Sequence, residues 1–338
     1  MAILVTGGGM IGSQVAAQLL MCGERTVIFD SAPPMAHLAT VLEVDKVKIV
    51  KGDILSMPDI LHAIRENGID RIIHTAGLLL SGVKERPYDG CNINIMGTLN
   101  ILEAAKITGI KRVVFSSTGL VSFGAIDGVS ELPLREDFIM KCLSHRPKAI
   151  YPVTKLACEY IGLCYYDLFG VDFVAVRFGS VFGPWLGGMA SSIPGRTIDQ
   201  FMKPAIWGKK IVIEDPLLSY AGGTDFVYSK DTAKSCICAC FADEGKMKTR
   251  VYNVTGGQFI TFQELIDIVK KIFPGVEIEV KYISKTGSAL FPYPTSKPRD
   301  ISRAREEIGY VPEWDMERAL RDYTDWLRKY QIQISSGG

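Results

Sequence analysis

Residues 4–14 read LVTGGGMIGSQ. A short apolar run leads directly into Gly7, Gly8, Gly9 and Gly12. The spacing Gly7-x-Gly9-x-x-Gly12 is the pattern by which a chain turns from a strand into a helix around a phosphate. The first glycine permits the tight turn, the second lets backbone approach a pyrophosphate, and the third lets helix and strand pack closely. The helix N-terminus then directs its free N–H groups at the anion. Asp30 ends the next apolar run, TVIFD, 18 residues beyond Gly12. A carboxylate there accepts hydrogen bonds from ribose hydroxyls and repels a 2′-phosphate, which predicts NAD rather than NADP. Asp53, in KGDI, is a second candidate, in reach of an adenine amino group; an ordinary turn aspartate is the plainer alternative.

Around this turn, short β-rich runs alternate with helical patterns. Strands are expected at Ala2–Val5, Thr26–Phe29, Val47–Val50, Arg71–His74, Arg112–Ser116 and Asp172–Arg177. Helices are expected at Ile11–Met21, Ile60–Glu66, Asn94–Ile107 and Pro152–Leu168. This alternation predicts an α/β fold with a doubly wound parallel sheet, its ligand lying along the edge where the strands end. After Arg177 the rhythm breaks. Residues 183–206 are rich in Gly, Pro and Ser with no clear period. Strands then follow at Arg250–Val254 and Glu277–Tyr282, helices at Asp231–Phe241, Thr261–Ile272 and Met316–Lys329, and a loop at Pro292–Pro298.

Composition excludes several functions. The 338 residues are 47% hydrophobic and 22% charged, as expected of a packed core. A formal net charge of +1 offers no basic field to nucleic acid or an anionic membrane. No apolar run approaches the roughly 20 residues a spanning helix needs, and no basic-then-apolar leader is recognisable. The eight cysteines form no CxxC pair. Cys236, Cys238 and Cys240 alternate within a helical stretch, where positions two apart face away from each other. Reduced thiols, no metal and a cytoplasmic location are therefore expected.

Tyr151-Pro152-Val153-Thr154-Lys155 carries the clearest catalytic signal. Tyr and Lys at i,i+4 share a helix face, and Pro152 suits a first turn. Tyr151 then sits at the positive end of the helix dipole. A free phenol, with a pKa of about 10, is a poor base at neutral pH. Lys155, the dipole and an oxidised nicotinamide would all stabilise the phenolate. Upstream, Val113-Val114-Phe115 runs into Ser116-Ser117-Thr118-Gly119. A hydroxyl at this strand end can hold the reacting oxygen, and Thr118 is the expected one, with Ser117 its neighbour.

Together these pieces make the chain resemble the extended short-chain dehydrogenase/reductase family, the NAD-dependent epimerase/dehydratase group. The matching segments run nearly end to end: VTGGGMIGS, FD at 29–30, GDI at 52–54, IHTAG at 73–77, NIMGTLNILEAA at 94–105, FSST at 115–118, YPVTK at 151–155, RFGSVFGP at 177–184, DFVYSKD at 225–231, YNVTGG at 252–257 and DISRAREEIGYVP at 300–312. The resemblance implies a Rossmann-like NAD domain over residues 1–178, completed by about 225–257. A smaller interleaved substrate domain would take 179–224 and 258–330. It implies Tyr151 as general acid/base, Lys155 on the nicotinamide ribose and lowering the tyrosine pKa, Thr118 orienting the substrate oxygen, and Asn94 supporting the adjoining helix and cofactor region. Further cofactor contacts would come from Met10, Ile11, Ile54, Ala76, Gly77, Ser116 and Phe178, and substrate contacts from Leu79, Ser180, Trp185 and Arg299. Similar enzymes dimerise through the helices at 94–107 and 152–168, so a homodimer is implied.

The departures from the family bear on the reaction. Gly119 and Leu120 stand where dehydrating members carry acids, and neither can supply a proton. Similar epimerases place an Asn at Ser180 and an Arg at Thr224. Their usual glycine turn is also one residue longer. A diphosphate calls for cationic partners, and Arg196, Lys203, Lys209, Lys210 and Arg299 are the candidates to compensate. Trp185, Met189, Ile193, Phe201, Trp207, Phe291 and Tyr293 make an apolar setting for a sugar. The sequence alone thus ranks an NAD-dependent alcohol dehydrogenase or ketoreductase on a small non-nucleotide substrate first. Nucleotide-sugar 4-epimerisation with tightly bound NAD comes next, and a nucleotide-binding protein without turnover is a third class.

Overall fold

The structure is a computed structural model describing residues 1–122, 132–138, 147–186, 192–215, 218–219, 222–283 and 297–335, with side chains to 330. The first half runs β1 (Ala2–Thr6), α1 (Met10–Met21), β2 (Arg25–Asp30), α2 (Met35–Val41), β3 (Lys48–Lys51), α3 (Met57–Asn67), β4 (Arg71–His74), α4 (Leu80–Glu85), α5 (Pro87–Cys91), α6 (Gly97–Thr108), β5 (Arg112–Thr118), α7 (Ile150–Phe169) and β6 (Phe173–Phe178). The second half adds β7 (Ser180–Phe182), α8 (Ile193–Ala205), β8 (Ile211–Ile213), β9 (Gly223–Tyr228), α9 (Ser229–Phe241), β10 (Val251–Val254), β11 (Phe259–Thr261), α10 (Phe262–Ile272), β12 (Ile278–Val280), α11 (Ser302–Ile308) and α12 (Met316–Ser335).

Seven strands form one sheet in the order β10-β6-β5-β4-β1-β2-β3, and every neighbouring pair is parallel. The two-residue period of a strand decides which side chain meets which layer. Ala2 and Leu4 join the core on one face with Phe29, Phe115, Phe173 and Ile101. Ile3 and Val5 join the other, with Val114, Val174, Ala239 and Tyr310. Both faces are covered, which is why these strands read as unbroken apolar runs. The order reverses between β1 and β4, so the crevice outside their C-terminal ends is the natural ligand site.

A second core lies beyond the sheet, built on Phe182, Phe201, Met202, Leu265, Val269, Leu320 and Leu327. A three-stranded sheet, β11-β9-β7, and a two-stranded one, β12-β8, accompany it. Two expectations change here. Residues 193–205, without visible period in the sequence, form helix α8. Pro194 sits in its first turn, Ser192 caps Gly195 through its side chain, and Pro204 falls in the last turn, so both prolines are tolerated. Ile198, Phe201, Met202 and Ala205 are its buried stripe. The helix expected at Asn94–Ile107 is interrupted by a π turn over Asn92–Met96 before α6 begins.

Candidate active site

The glycine turn is built as its spacing requires. Gly7 has φ +86°, which strains any residue with a Cβ, and a Cβ there would press on the Ala76 backbone at 2.9 Å. A Cβ on Gly12 would lie 1.8 Å from the Gly7 carbonyl oxygen and 2.8 Å from Thr75 Oγ1. Gly9, at the N-cap of α1, differs: its Cβ would meet no atom within 4 Å. The turn is therefore packed at its two ends and open at the middle glycine, where Met10 and Ile11 begin the helix. A Cβ would fill the cradle that a pyrophosphate needs.

Asp30 closes the other side. Its Oδ2 accepts from the Gly8 N–H at 2.7 Å and its Oδ1 from the Ala32 N–H at 2.7 Å. The carboxylate is thus fixed beside the turn with lone pairs left over for hydroxyl donors. These residues fit a dinucleotide. Asp53 behaves as a turn aspartate, its Oδ1 accepting from the Leu55 N–H at 2.9 Å. Ile54 is buried, and its carbonyl accepts from Asn100.

Across the crevice, β5 delivers Ser116, Ser117 and Thr118, all buried. Alternation sorts them. Ser117 Oγ donates to Glu159, away from Thr118 Oγ1, which bonds Tyr151 and accepts from the Leu120 N–H at 3.2 Å. Of the two hydroxyls, Thr118 is thus the one on the Tyr151 side and Ser117 the one turned to Glu159. Lys155, one turn along α7, donates through Nζ to the Ser116 carbonyl at 2.9 Å and lies 4.7 Å from the centre of the Phe115 ring. Asn94 explains the π turn. Its Oδ1 accepts from the Leu78 N–H at 2.8 Å, and its Nδ2 donates to the Leu78 carbonyl at 3.0 Å and to Thr154 Oγ1 at 3.1 Å. A wide turn brings this one carboxamide into reach of both the strand-end segment Ala76–Leu79 and α7, a recurrent use of π bulges.

Burial dominates the electrostatics of the Tyr151–Lys155 pair. Burial pushes the Tyr151 phenol up to about 12, with the Thr118 hydrogen bond pulling the other way. Burial also brings Lys155 down to about 8, opposed by Cys158 and Glu159. Burial outweighs any pull on the phenol from Lys155, whose ammonium donates to the Ser116 carbonyl. At neutral pH the lysine is still mostly charged and the tyrosine is an intact O–H donor.

Other residues fall elsewhere. Phe178 sits beside Thr118 in the β5–β6 register but is a core residue. Leu79 is 41% exposed at the N-cap of α4. Ser180 Oγ and Thr224 Oγ1 bond each other at 2.8 Å. Arg299, expected to touch substrate, is buried: its Nη1 pairs with Asp225 at 3.3 Å and its Nη2 donates to the Gly119 carbonyl at 3.0 Å. Arg196 pairs with Asp215, Lys203 with Asp199 and Lys210 with Glu279, while Lys209 is exposed. Trp185 packs edge-on to His37, Phe201 lies in the second core, Trp207 is half exposed, and Met189, Phe291 and Tyr293 lie outside the described residues.

Sequence reasoning misses Glu159 and Arg177. Arg177 donates to both Glu159 oxygens, at 2.9 and 2.7 Å, and to the Glu136 carbonyl. This buried pair ties α7, β5 and β6 together directly behind Thr118. Its sequence signal is an acid four residues beyond Lys155 on a mostly apolar helix.

A parallel sheet that switches direction at a glycine turn, facing a Tyr–Lys pair and a strand-end threonine, defines an NAD-dependent enzyme of the extended short-chain dehydrogenase/reductase kind. The chain belongs to the NAD dependent epimerase/dehydratase family, whose profile matches residues 3–255. It is 27% identical over 341 residues to UDP-glucuronate 4-epimerase of Thermodesulfobacterium geofontis, covering 96% of each chain. It is similar to UDP-glucose 4-epimerase from Thermus thermophilus, solved in complex with NAD, at 26% identity and a TM-score of 0.74, covering 97% of this chain and 99% of that one. The fold is also that of L-threonine dehydrogenase from Clostridium difficile, at a TM-score of 0.82 and 21% identity, covering 98% of each. Among the described residues, no helix is long and apolar enough to cross a membrane.

Proposed function

We propose that the chain inverts a secondary alcohol centre of a nucleotide sugar, a 4-epimerase that keeps its NAD through the cycle. The observation that carries this reading is the end-to-end likeness to UDP-glucuronate 4-epimerase of Thermodesulfobacterium geofontis, over 96% of each chain, with Thr118, Tyr151 and Lys155 in place. This reverses the order that the sequence alone suggests. Bound NAD supplies a hydride acceptor that can also return the hydride. Gly7, Gly9, Gly12 and Asp30 would hold it. Tyr151, whose phenolate form a nearby oxidised nicotinamide would favour, would take the proton of the substrate hydroxyl and give it back to the same oxygen, Thr118 would hold that oxygen, and Lys155 would hold the nicotinamide ribose. Nothing at Gly119 or Leu120 can protonate a leaving group, in keeping with inversion rather than elimination.

Net oxidation of a small non-nucleotide alcohol is the second reading, and one observation favours it. Ser180 and Thr224 satisfy each other, and Arg299 is engaged by Asp225 and Gly119. None of the three offers a cation to a diphosphate. Incubation with UDP-glucuronate or UDP-glucose separates the two. Inverted sugar with about one NAD retained per chain and no net NADH is expected; stoichiometric NADH from small alcohols, with nucleotide sugars unchanged, would favour oxidation instead.

We also propose that residues 1–178 and 225–257 hold the cofactor, while 179–224 and 258–330 hold the substrate. The second core, drawn mainly from the latter segments, supports this division. A homodimer through α6 and α7 is proposed on the exposed Met96, Ile107, Val153, Tyr160, Leu168 and Phe169, an apolar set that a four-helix contact would cover. Sedimentation at micromolar concentration should give twice the chain mass; a single-chain mass would refute the dimer.

A further inference from the structure

The last three residues of β5 are each tied to α7. The Ser116 carbonyl accepts from Lys155 at 2.9 Å, Ser117 Oγ donates to Glu159, and Thr118 bonds Tyr151. On the helix, Tyr151, Lys155 and Glu159 stand at i, i+4 and i+8, so they share one stripe of its surface. Two of the three ties belong to the reacting groups and their lysine. The third lies deeper, with Ser117 at 3% exposure and Glu159 at 2%, where substrate does not reach.

This deeper tie rests on a buried charge pair. Arg177, opposite Ser117 in the β5–β6 register, donates to both Glu159 oxygens, and the Phe138 ring covers its guanidinium at 5.2 Å. A buried ion pair adds little stability over apolar side chains of similar volume. What it adds here is direction. Phe115, Cys158 and Phe173 pack around this part of α7. At Gly162 the helix lies so close that a Cβ would stand 2.3 Å from the Phe173 ring. Such apolar contacts press the helix onto the sheet but leave it free to slide along the strand. A hydrogen bond to an ionised carboxylate is short and directional, so it sets where along β5 the helix stops. Tyr151 rides on the same helix eight residues away, about 12 Å at the helical rise. A shift of about 1 Å in a reacting group is enough to slow a reaction about 100-fold.

We propose that Ser117 and Glu159 are positioning residues: their hydrogen bond, backed by Arg177, locks α7 in register on β5 so that Tyr151 and Thr118 close on one substrate oxygen. The inference rests on Tyr151 and Thr118 being the reacting pair, and is independent of whether the reaction is inversion or net oxidation.

Ser117→Ala tests it. The variant loses one hydroxyl and leaves Glu159 paired with Arg177, so its buried charges stay compensated and the chain should fold. Turnover is measured well below the melting temperature, on whichever of UDP-glucuronate, UDP-glucose or a small alcohol the parent converts. The expected result is a kcat lower by about 10- to 100-fold, with KM and NAD per chain within about twofold of the parent. An unchanged kcat, even with a lower melting temperature, would make the tie purely structural and overturn the proposal. A loss carried by KM or by released NAD would overturn it too, because the tie would then be serving binding instead of the reacting pair. Tyr151→Phe, assayed alongside, separates the two levels of the account. Full turnover in Tyr151→Phe removes the pair to be positioned, and the proposal with it. Lost turnover there, with full kcat in Ser117→Ala, overturns the positioning role alone.

Discussion

Tyr151→Phe is expected to lower turnover about 10²- to 10⁴-fold, the range spanned by a positioned general acid or base, while NAD stays bound. The substitution removes one oxygen and keeps the ring, which is 7% exposed at the start of α7. The hydroxyl it deletes is the one that bonds Thr118 at the strand end. Lys155 holds the Ser116 carbonyl independently, so the nicotinamide side of the site keeps its lysine. Stability should change by only about 1 kcal/mol, the net worth of one hydrogen bond. The measurement is kcat together with NAD per chain after gel filtration. Near-full turnover in the variant would remove Tyr151 from the role of acid and base.

The glycine turn gives the second large effect, as a contrast between two substitutions. Gly12→Ala places a methyl 1.8 Å from the Gly7 carbonyl oxygen, which is backbone and cannot rotate away. The turn must open, so NAD affinity should fall by at least about 100-fold, and stability should drop by the 1–3 kcal/mol usual for overpacking, or more. Gly9→Ala meets no protein atom within 4 Å. It should fold as stably as the parent, within about 0.5 kcal/mol, yet also lose NAD affinity, because the methyl fills the cradle rather than the packing. Thermal unfolding and NAD titration of both variants check this. Equal melting losses, or full NAD affinity in Gly9→Ala, would contradict the roles given to the two glycines.

What the sequence makes legible is whatever has a local cause. Strands β1, β2, β4, β5 and β6 are expected within two residues of where they lie, because burial on both faces writes them as apolar runs. Gly7, Gly9, Gly12 and Asp30 announce themselves by spacing, and Tyr151 and Lys155 by sharing a helix face. The rest depends on partners distant in the chain. Helix α8 is hidden because prolines stand at both of its ends, and only its packing into the second core reveals the buried stripe. Arg299 reads as a free cation until Asp225, 74 residues away, takes it up. The upward shift of the Tyr151 phenol comes from burial, which does not follow from YxxxK spacing.

The central claim is that hydride leaves and returns within one site. A UDP-sugar carrying deuterium on its C4 carbon tests it directly, with the product followed by proton NMR. Inverted sugar that keeps the deuterium at C4, without exchange into solvent or into added free NAD, is the predicted result. Loss of the label to water would mean proton abstraction instead of hydride transfer. Its appearance in free cofactor, with a ketone product, would mean net oxidation, and either outcome would contradict the account.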